Sequence, residues 1–252
     1  MKVITIDSSG LVASVAVIED DNLIAEYNVS FKKTHSQTLL PMLDELKKMV
    51  ELDLSTVDGI AISKGPGSFT GLRIGSATAK GLSQALNIPI VEIGTLEGLA
   101  CNLYGSDSII CPIMDARRSQ VYTGIYTYTK EVLPSNYVVF RQNTMLKECA
   151  LPIEELIDSV TKISKEQNKD VIFLGDGVPV FNEYISQNMS VPYSYAPAHM
   201  NRQRSASFGH LAVQYLIEGK TVSCYEHAPE YLRLSQAERE RNEGIRNKGS
   251  NY

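Results

Sequence analysis

The sequence predicts an α/β fold made of two similar lobes, each of the order β-β-β-α-β-α, with a cleft between them. Two observations support this prediction. An apolar strand that ends in an aspartate occurs twice, at residues 3–7 and at residues 109–115. Each is followed by two strand-like runs, an amphipathic helix and a short buried strand, so the order of elements repeats near the midpoint of the chain.

The first lobe opens with strands predicted at residues 3–6, 12–18 and 23–29, which polar or charged turns separate. A helix predicted over residues 34–51 follows, and it carries an apolar stripe at helical spacing. The stripe consists of Leu39, Leu43, Leu46 and Val50, widened by Leu40 and Met42. A short apolar run at residues 59–62 is predicted to be a buried strand that leads into a glycine-rich segment.

The second lobe repeats this order. Strands are predicted at residues 109–114 and 121–127, with a third near residues 137–140. A helix over residues 152–167 and a buried strand at residues 171–174 complete the repeat. The acidic turns after the two first strands, at Asp7 and Asp115, are therefore predicted to occupy equivalent places.

A last helix is predicted over residues 205–218, with Ser205 as its N-cap and Gly219 in the left-handed position after its end. We expect it to return to the first lobe. The predicted organisation is a first lobe at 1–105 joined by the helix 205–219, a second lobe at 106–204, a segment at 220–235 and a flexible charged tail at 236–252. Deleting residues 237–252 should barely change thermal stability.

The composition is that of an ordinary globular protein, with 43% hydrophobic and 21% charged residues. The net charge of −5 excludes a general attraction to nucleic acid, so RNA contact needs a local basic patch or a partner. No signal-peptide pattern opens the chain and no apolar run reaches 18 residues, so we expect a cytoplasmic protein without a membrane contact. The four cysteines lack C-x-x-C spacing and are predicted to be free thiols.

The most informative segment is the glycine-rich loop of residues 63–76, between the buried strand and a helix of small residues. Its central residues are Gly65, Gly67, Ser68, Phe69, Thr70 and Gly71. The spacing matches neither a P-loop nor a dinucleotide-binding loop, although glycines here favour a close backbone approach. Gly75 and Gly81 within the following helix also indicate that something approaches its backbone.

These motifs resemble those of the TsaB (YeaZ) family. The resemblance rests on residues 1–9, 35–41, 65–75 and 115–122, supported by the short run 231–233. It covers roughly residues 1–234, with the motifs in family order. It implies the duplicated actin/Hsp70/sugar-kinase (ASKHA) fold, in agreement with the internal repeat.

The resemblance also implies a function. TsaB proteins are the non-catalytic subunit of the bacterial machinery that forms N6-threonylcarbamoyladenosine (t6A) at position 37 of tRNAs reading ANN codons. They form a heterodimer with the catalytic relative TsaD, and the ATPase TsaE completes the assembly. The expected partners are thus TsaD, TsaE and, through the complex, tRNA, with a homodimer when the chain is alone. The residues that match the partner-binding helices are Leu39, Leu43, Leu46, Arg73, Ala77 and Lys80.

The same fold places the two acidic turns opposite each other across a cleft where relatives bind nucleotides. The matching candidates are Asp7, Ser8, Ser9, Asp115, Gly175 and Gly177. Alternatively, Asp7 and Asp115 are turn formers whose carboxylates accept from nearby backbone N–H groups. No cofactor is required under the scaffold interpretation, with a weak or vestigial ATP or ADP site as the open alternative.

Two enzymatic alternatives remain at this point. An ATP-dependent small-molecule kinase of the same fold needs a carboxylate to orient the attacking hydroxyl, and Asp7 is the candidate. A metalloprotease needs metal ligands, but the histidines at 35, 199, 210 and 227 form no H-x-x-x-H pair. We therefore predict no metal site. The resemblance implies that the chain has no catalytic residue and is not an enzyme on its own.

Overall fold

The computed structural model describes residues 1–31 and 35–233. Their strands are β1 (Lys2–Asp7), β2 (Ala13–Glu19), β3 (Asn22–Val29), β4 (Gly59–Gly65), β5 (Ile90–Gly94), β6 (Ile109–Asp115), β7 (Gln120–Val132), β8 (Val138–Pro152), β9 (Val171–Leu174) and β10 (Tyr193–Tyr195). Their helices are α1 (His35–Met49), α2 (Phe69–Leu86), α3 (Thr95–Ala100), α4 (Ile153–Gln167), α5 (Val178–Asn188) and α6 (Gly209–Ile217). The predicted tail at 236–252 lies outside the described residues.

The strands form two five-stranded sheets with the same topology. The first has the order β3-β2-β1-β4-β5, and the second has the order β8-β7-β6-β9-β10. In each, the first three strands are antiparallel, and the two that follow run parallel to the first. We call these sheets and their helices the N-lobe and the C-lobe. The predicted duplication is confirmed.

The N-lobe sheet is covered on both faces, as the alternation of its strands requires. Ile4 and Ile6 of β1 pack into a core with α1, whereas Val3, one residue out of step, faces the opposite side. There it meets Phe208 and Ala212, at and just after the start of α6. The last helix therefore packs on the N-lobe sheet.

The start of this last helix differs from the prediction. The helix begins at Gly209, and Ser205 is not its N-cap. The Ser205 hydroxyl instead lies 2.8 Å from Oγ of Ser14, and its backbone N–H donates to the same Oγ at 2.7 Å. Because both serines are fully buried, this pairing satisfies polar groups that would otherwise lack partners. Gly219 has φ +71°, in agreement with the predicted left-handed position.

Strand β8 is much longer than the predicted residues 137–140. It spans 15 residues and pairs with β7 along a long hairpin. The prediction failed here because most of β8 is only partly buried, so its sequence lacks a clear apolar run. The missed part matters because Glu148 of β8 bonds to the helix that follows the last strand of the N-lobe sheet. Its Oε1 accepts backbone N–H bonds from Leu96 at 2.7 Å and Glu97 at 2.8 Å, at the start of α3.

Helix α3 connects the lobes. It follows β5 of the N-lobe sheet, and its Leu96 and Leu99 pack on the C-lobe sheet beside Ile110 and Leu174. Helix α3 also contacts the residue that precedes α6, since a Cβ on Gly98 would lie 2.9 Å from the Phe208 ring. The lobes are therefore joined by a continuous apolar layer, and Glu148 forms a polar tie beside it.

Candidate functional site

The turns after β1 and β6 have the same local structure. In the N-lobe, Oδ1 of Asp7 accepts from the backbone N–H of Ser9 at 2.9 Å. In the C-lobe, Oδ1 of Asp115 accepts from the backbone N–H of Arg117 at 2.7 Å. Both aspartates therefore act as turn formers, which was one of the two interpretations left open by the sequence.

Asp7 is closed off from the cleft. Its Oδ1 also accepts from the Ser9 hydroxyl at 2.6 Å, and its Oδ2 accepts from the Ser63 hydroxyl at 2.7 Å. The residue is 2% exposed, and desolvation raises its carboxyl pKa despite these hydrogen bonds. A carboxylate with all its partners supplied by its own chain is poorly placed to orient a substrate hydroxyl.

The glycine-rich loop lies directly on this turn. The Ser68 N–H donates to the Ser9 carbonyl at 2.6 Å, and the Ser8 hydroxyl donates to the Gly71 carbonyl at 2.8 Å. A Cβ at Gly67 would overlap the Ser9 carbonyl oxygen, and one at Gly71 would overlap that of Ser8. The close backbone approach predicted for these glycines is therefore made by the chain itself.

The two glycines within α2, Gly75 and Gly81, have different surroundings. A Cβ on Gly75 would overlap the Ser8 hydroxyl, so this glycine also serves the turn. Gly81 has open space where its Cβ would lie, and it is exposed. Gly65 has φ +127°, and a Cβ there would overlap the Glu230 carbonyl oxygen. Of these positions, Gly81 alone has a free backbone surface.

A cavity of about 530 Å³ opens between the turns. From the N-lobe it is lined by Ser9, Gly10, Leu11, His35, Pro66, Gly67, Ser68 and Phe69. From the C-lobe it is lined by Met114, Asp115, Ala116, Arg117, Tyr122 and Asp176, and from the C-terminal segment by Glu230, Tyr231, Leu232 and Arg233. Of the predicted nucleotide residues, Ser9 and Asp115 lie on this lining, whereas Asp7, Ser8, Gly175 and Gly177 do not.

Gly175 and Gly177 have structural roles in the β9–α5 turn. The Gly175 N–H donates to the Asn201 carbonyl at 3.1 Å, and the Gly177 N–H donates to the Ile113 carbonyl at 3.0 Å. Gly175 has φ +107°, and a Cβ there would overlap the same Ile113 oxygen. Both backbone donors of these predicted nucleotide-binding residues therefore have partners within the chain.

The charge of the cavity disfavours a polyphosphate. The backbone N–H groups of Ser9, Ser68 and Arg117 donate within the chain, as given above. The described lining carries three carboxylates, Asp115, Asp176 and Glu230, and no lysine. Arg117 pairs with Asp115 at 3.1 Å, and Arg233 donates to the Ala116 carbonyl. A polyphosphate is favoured by an excess of positive charge, which this described lining does not offer.

Several cavity residues escaped the sequence analysis as site residues. Burial raises the pKa of Asp176, and its Oδ1 lacks a partner among the described residues. The His35 ring lies 2.8 Å, at Nε2, from the Gly10 carbonyl. Glu230 and Tyr231 arrive from the end of the chain. Of these residues, His35 and Tyr231 carry a sequence signal, because they lie in the segments 35–41 and 231–233 that resemble the family.

The predicted partner helices lie side by side on the outer face of the N-lobe sheet. Three of the predicted interface residues do not reach the surface, since Leu39, Leu43 and Leu46 are 1%, 5% and 2% exposed. They belong to the core with Ile4 and Ile6. This corrects the prediction, because the apolar stripe of α1 covers its own sheet. Arg73 and Ala77 are exposed, and Lys80 is half-buried.

The exposed part of these helices forms a mixed surface, which we call the α1–α2 face. Its apolar part includes Leu40, whose exposed fraction is 54%, and Met49, at 75%. On α2 it continues with Ala77, the open Gly81 and Ala85. Exposed apolar and small residues on adjacent helices are typical of a helix-packing surface.

The described residues contain no group of three or more histidine, cysteine, aspartate or glutamate side chains that could hold a metal ion. All four cysteines are free, and burial raises the pKa of Cys101 and of Cys111 to about 12. Such thiols stay protonated at neutral pH and are poor nucleophiles. Among the described helices none has the length and hydropathy of a membrane span.

A family model described as TsaD, tRNA N6-adenosine threonylcarbamoyltransferase, matches residues 24–241. The tRNA threonylcarbamoyladenosine biosynthesis protein TsaB of Bacillus subtilis (strain 168) is 33% identical over 238 residues, 94% of this chain and 96% of that protein. The chain belongs to the TsaB (YeaZ) family. The TsaB protein of Haemophilus influenzae is 27% identical, over 92% of this chain and 94% of its own. The family acts in the biosynthesis of t6A in tRNA.

The fold agrees with that of a family member of known structure. YeaZ from Pseudomonas aeruginosa superposes with a TM-score of 0.73, covering 92% of this chain and 100% of its own, at 24% identity. Together with the repeated sheet topology, this identifies the duplicated ASKHA α/β fold.

Proposed function

We propose that this chain is a non-catalytic subunit of the t6A machinery and that it acts by docking on a TsaD-type catalytic relative. One observation supports this most directly. The glycine-rich loop, which in other folds cradles phosphate, here packs on the turn at Ser8 and Ser9 and sets the position of α2. The most distinctive motif of the chain thus supports a helix surface instead of a ligand.

The docking surface in this proposal is the α1–α2 face. Leu40 and Ala77 supply exposed apolar contact area on neighbouring helices, and Gly81 permits close approach of a partner helix. Arg73 and Lys80 place positive charge beside them. A TsaD-type chain with a complementary small-residue helix pair and acidic flanks fits this surface. The buried leucines 39, 43 and 46 support it from beneath.

The docking proposal is tested by binding and activity together. Leu40→Glu and Ala77→Arg should each weaken binding to TsaD by at least ~100-fold, because each buries a charge in an apolar interface. Asp158→Arg, on the exposed face of α4 in the C-lobe, is the matched control. Binding is measured by calorimetry, and t6A formation by a reconstituted assay with TsaD, TsaE, tRNA, and threonylcarbamoyl-adenylate. Unchanged binding in both α1–α2 variants would show that the surface is wrong.

The same face accounts for the expected homodimer. We propose that isolated chains associate through the α1–α2 face and that TsaD displaces the second copy. Ala77→Arg should then give a monomer in sedimentation experiments without TsaD. TsaE and tRNA join the assembly through the heterodimer in this proposal. An Ala77→Arg variant that stays dimeric would place the homodimer elsewhere.

For the cleft, we propose at most a weak or vestigial ATP or ADP site and no turnover by the chain alone. This follows from the lack of an excess of positive charge among the described lining residues and from the enclosed Asp7. Incubation of the purified chain with ATP and Mg²⁺, with a panel of small-molecule acceptors, should release no ADP. Turnover by the chain alone would favour the kinase alternative.

A further inference from the structure

The C-terminal segment follows the edge of the N-lobe sheet toward the cleft. Val222 pairs with Ile90 of β5 as an antiparallel bridge. Further along, the buried His227 lies 2.7 Å, at Nδ1, from the Glu92 carboxylate. The segment then turns across the mouth of the cavity, where residues 230–233 form part of the lining. We call these four residues the clasp.

On the N-lobe side, the clasp is tied to the end of β4. The Glu230 N–H donates to the Lys64 carbonyl at 2.7 Å, and the Glu230 carboxylate lies 3.2 Å from the Lys64 ammonium group. The Glu230 carbonyl occupies the space that a side chain at Gly65 would need. Gly65 is therefore explained by the passage of the clasp and not by a ligand.

Next, the clasp contacts the glycine-rich loop. The rings of Tyr231 and Phe69 have centroids 4.6 Å apart. The Arg73 guanidinium lies 4.0 Å above the Phe69 ring, and its Nε donates to the Tyr231 hydroxyl at 3.2 Å. These three side chains form one cluster at the start of α2, where the loop becomes a helix.

On the C-lobe side, Arg233 reaches the turn after β6. Its guanidinium donates to the carbonyl of Ala116 and, at 3.3 Å, to that of Arg117. This turn is unusual because Arg117, Arg118 and Ser119 all have positive φ. Within four residues, the clasp thus contacts both lobes on opposite sides of one cavity.

We propose that the clasp is a built-in occupant of the cleft, which fixes the relative position of the lobes and braces the glycine-rich loop from the cavity side. In many two-lobed proteins, a bound ligand closes the cleft by contacting both lobes. Here residues 230–233 make contacts of that kind as part of the chain.

The clasp also reaches the surface proposed for the partner. Arg73 belongs to α2 and is exposed, yet its head group holds Tyr231 and Phe69. The position of the α2 N-terminus therefore depends on the clasp as well as on the turn beneath it. This inference concerns the isolated chain and does not depend on docking, so its test requires no partner.

The test is amide hydrogen exchange of the isolated, full-length protein, followed by mass spectrometry. Tyr231→Ala should accelerate exchange at residues 65–73 by at least ~10-fold, since local protection depends on the contacts that hold the segment. Arg233→Ala should do the same at residues 115–120. Tyr225→Ala is the matched control, because Tyr225 lies in the same segment but is 81% exposed. It should leave both segments unchanged.

Three results would overturn the proposal. One is unchanged exchange at both segments in Tyr231→Ala and Arg233→Ala. Another is acceleration spread evenly over both lobes, which would indicate a general loss of stability. If Tyr231→Ala does not fold, Tyr231→Phe removes only the hydroxyl that accepts from Arg73 and should accelerate exchange at residues 69–73. The third result is unchanged exchange at residues 69–73 in Tyr231→Phe together with unchanged exchange at residues 115–120 in Arg233→Ala.

Discussion

The two lobes share one topology and one type of turn, but only the N-lobe turn is covered. Asp7, Ser8 and Ser9 are at most 2% exposed, whereas the side chain of Arg117 in the equivalent turn is 86% exposed. The difference arises from where the next β–α turn places its glycines. In the N-lobe they contact the carbonyls of Ser8 and Ser9, within the turn itself.

In the C-lobe, the corresponding glycines contact Ile113, two residues before Asp115. The start of α5 therefore lies beside strand β6, and the Arg117 side chain of the turn after it stays exposed. A small shift in the point of contact thus decides whether a turn becomes part of the core or part of a cleft. The duplication determines the backbone plan of each lobe, while the glycine positions determine what each lobe presents.

The largest expected effect tests whether the two lobes have equivalent cores. Leu43 of α1 and Leu156 of α4 are buried under corresponding helices. Leu43→Ala and Leu156→Ala should each lower the free energy of unfolding by about 3 kcal/mol, from lost burial and cavity formation. Leu40→Ala, on the exposed side of α1, should change it by less than about 0.5 kcal/mol. Urea unfolding measures all three, and equal effects for Leu40 and Leu43 would contradict the assignment of the buried face.

The sequence predicts the backbone plan well, because period-two and helical patterns report directly which residues face a core. It predicts the buried side of α1 only in part. The stripe containing Leu39, Leu43 and Leu46 was recognised, but a stripe is equally apolar whether it covers its own sheet or a partner. Distinguishing the two requires knowing which neighbours complete the core, and that is a property of the tertiary structure.

The same limit applies to the cleft. Glycines at 65, 67 and 71 indicate a close approach, yet the approaching groups come from distant parts of the chain, Ser8, Ser9 and Glu230. Spacing motifs report local geometry only, so they do not distinguish a phosphate from a carbonyl of the same chain. The Glu148 tie was missed for a related reason, since it lies on a strand without a clear apolar pattern.

The second prediction compares the covered turn with the open one. Asp7→Ala leaves the buried donors of Ser9 and Ser63 without an acceptor, so it should destabilise the protein by about 2–3 kcal/mol. Asp115→Ala removes one backbone acceptor at a partly exposed turn and should cost about 1 kcal/mol or less. Thermal and urea unfolding measure both, and similar losses would mean that covering the turn has no energetic consequence.

The third prediction concerns the tie between the lobes and depends on pH. Burial raises the pKa of Glu148 to about 7, above its ordinary value of 4.5, although N–H groups of Leu96 and Glu97 donate to it. The folded state therefore holds this proton more tightly than the unfolded state. Stability from this group is fully present below pH 4.5 and is lost as pH rises to about 7.

Glu148→Gln keeps a carbonyl acceptor for both N–H groups and removes the charge. As pH rises from 5 to 7, the free energy of unfolding of this variant should increase relative to that of the parent by about 1 kcal/mol for each pH unit. The total difference over this range is about 2 kcal/mol. Glu154→Gln, on the exposed first turn of α4, is the control and should show no such trend. A stability difference between Glu148→Gln and the parent that is independent of pH would contradict the buried, ionisable tie.

The smallest predicted effect is a stability change of opposite sign for two glycine substitutions on one helix. Gly71 and Gly81 lie on the same helix, but Gly71 faces the covered turn and Gly81 faces open space. In the Ala77→Arg background, which the proposal expects to be monomeric, Gly81→Ala should stabilise the protein by about 0.5–1 kcal/mol, because alanine restricts the unfolded chain and meets nothing in the folded monomer. Gly71→Ala should destabilise it, since its Cβ meets the Ser8 carbonyl, a backbone atom that is unable to move aside without disturbing the turn. Urea unfolding in the same background separates the two signs, and a loss of stability in both variants would contradict the open space at Gly81.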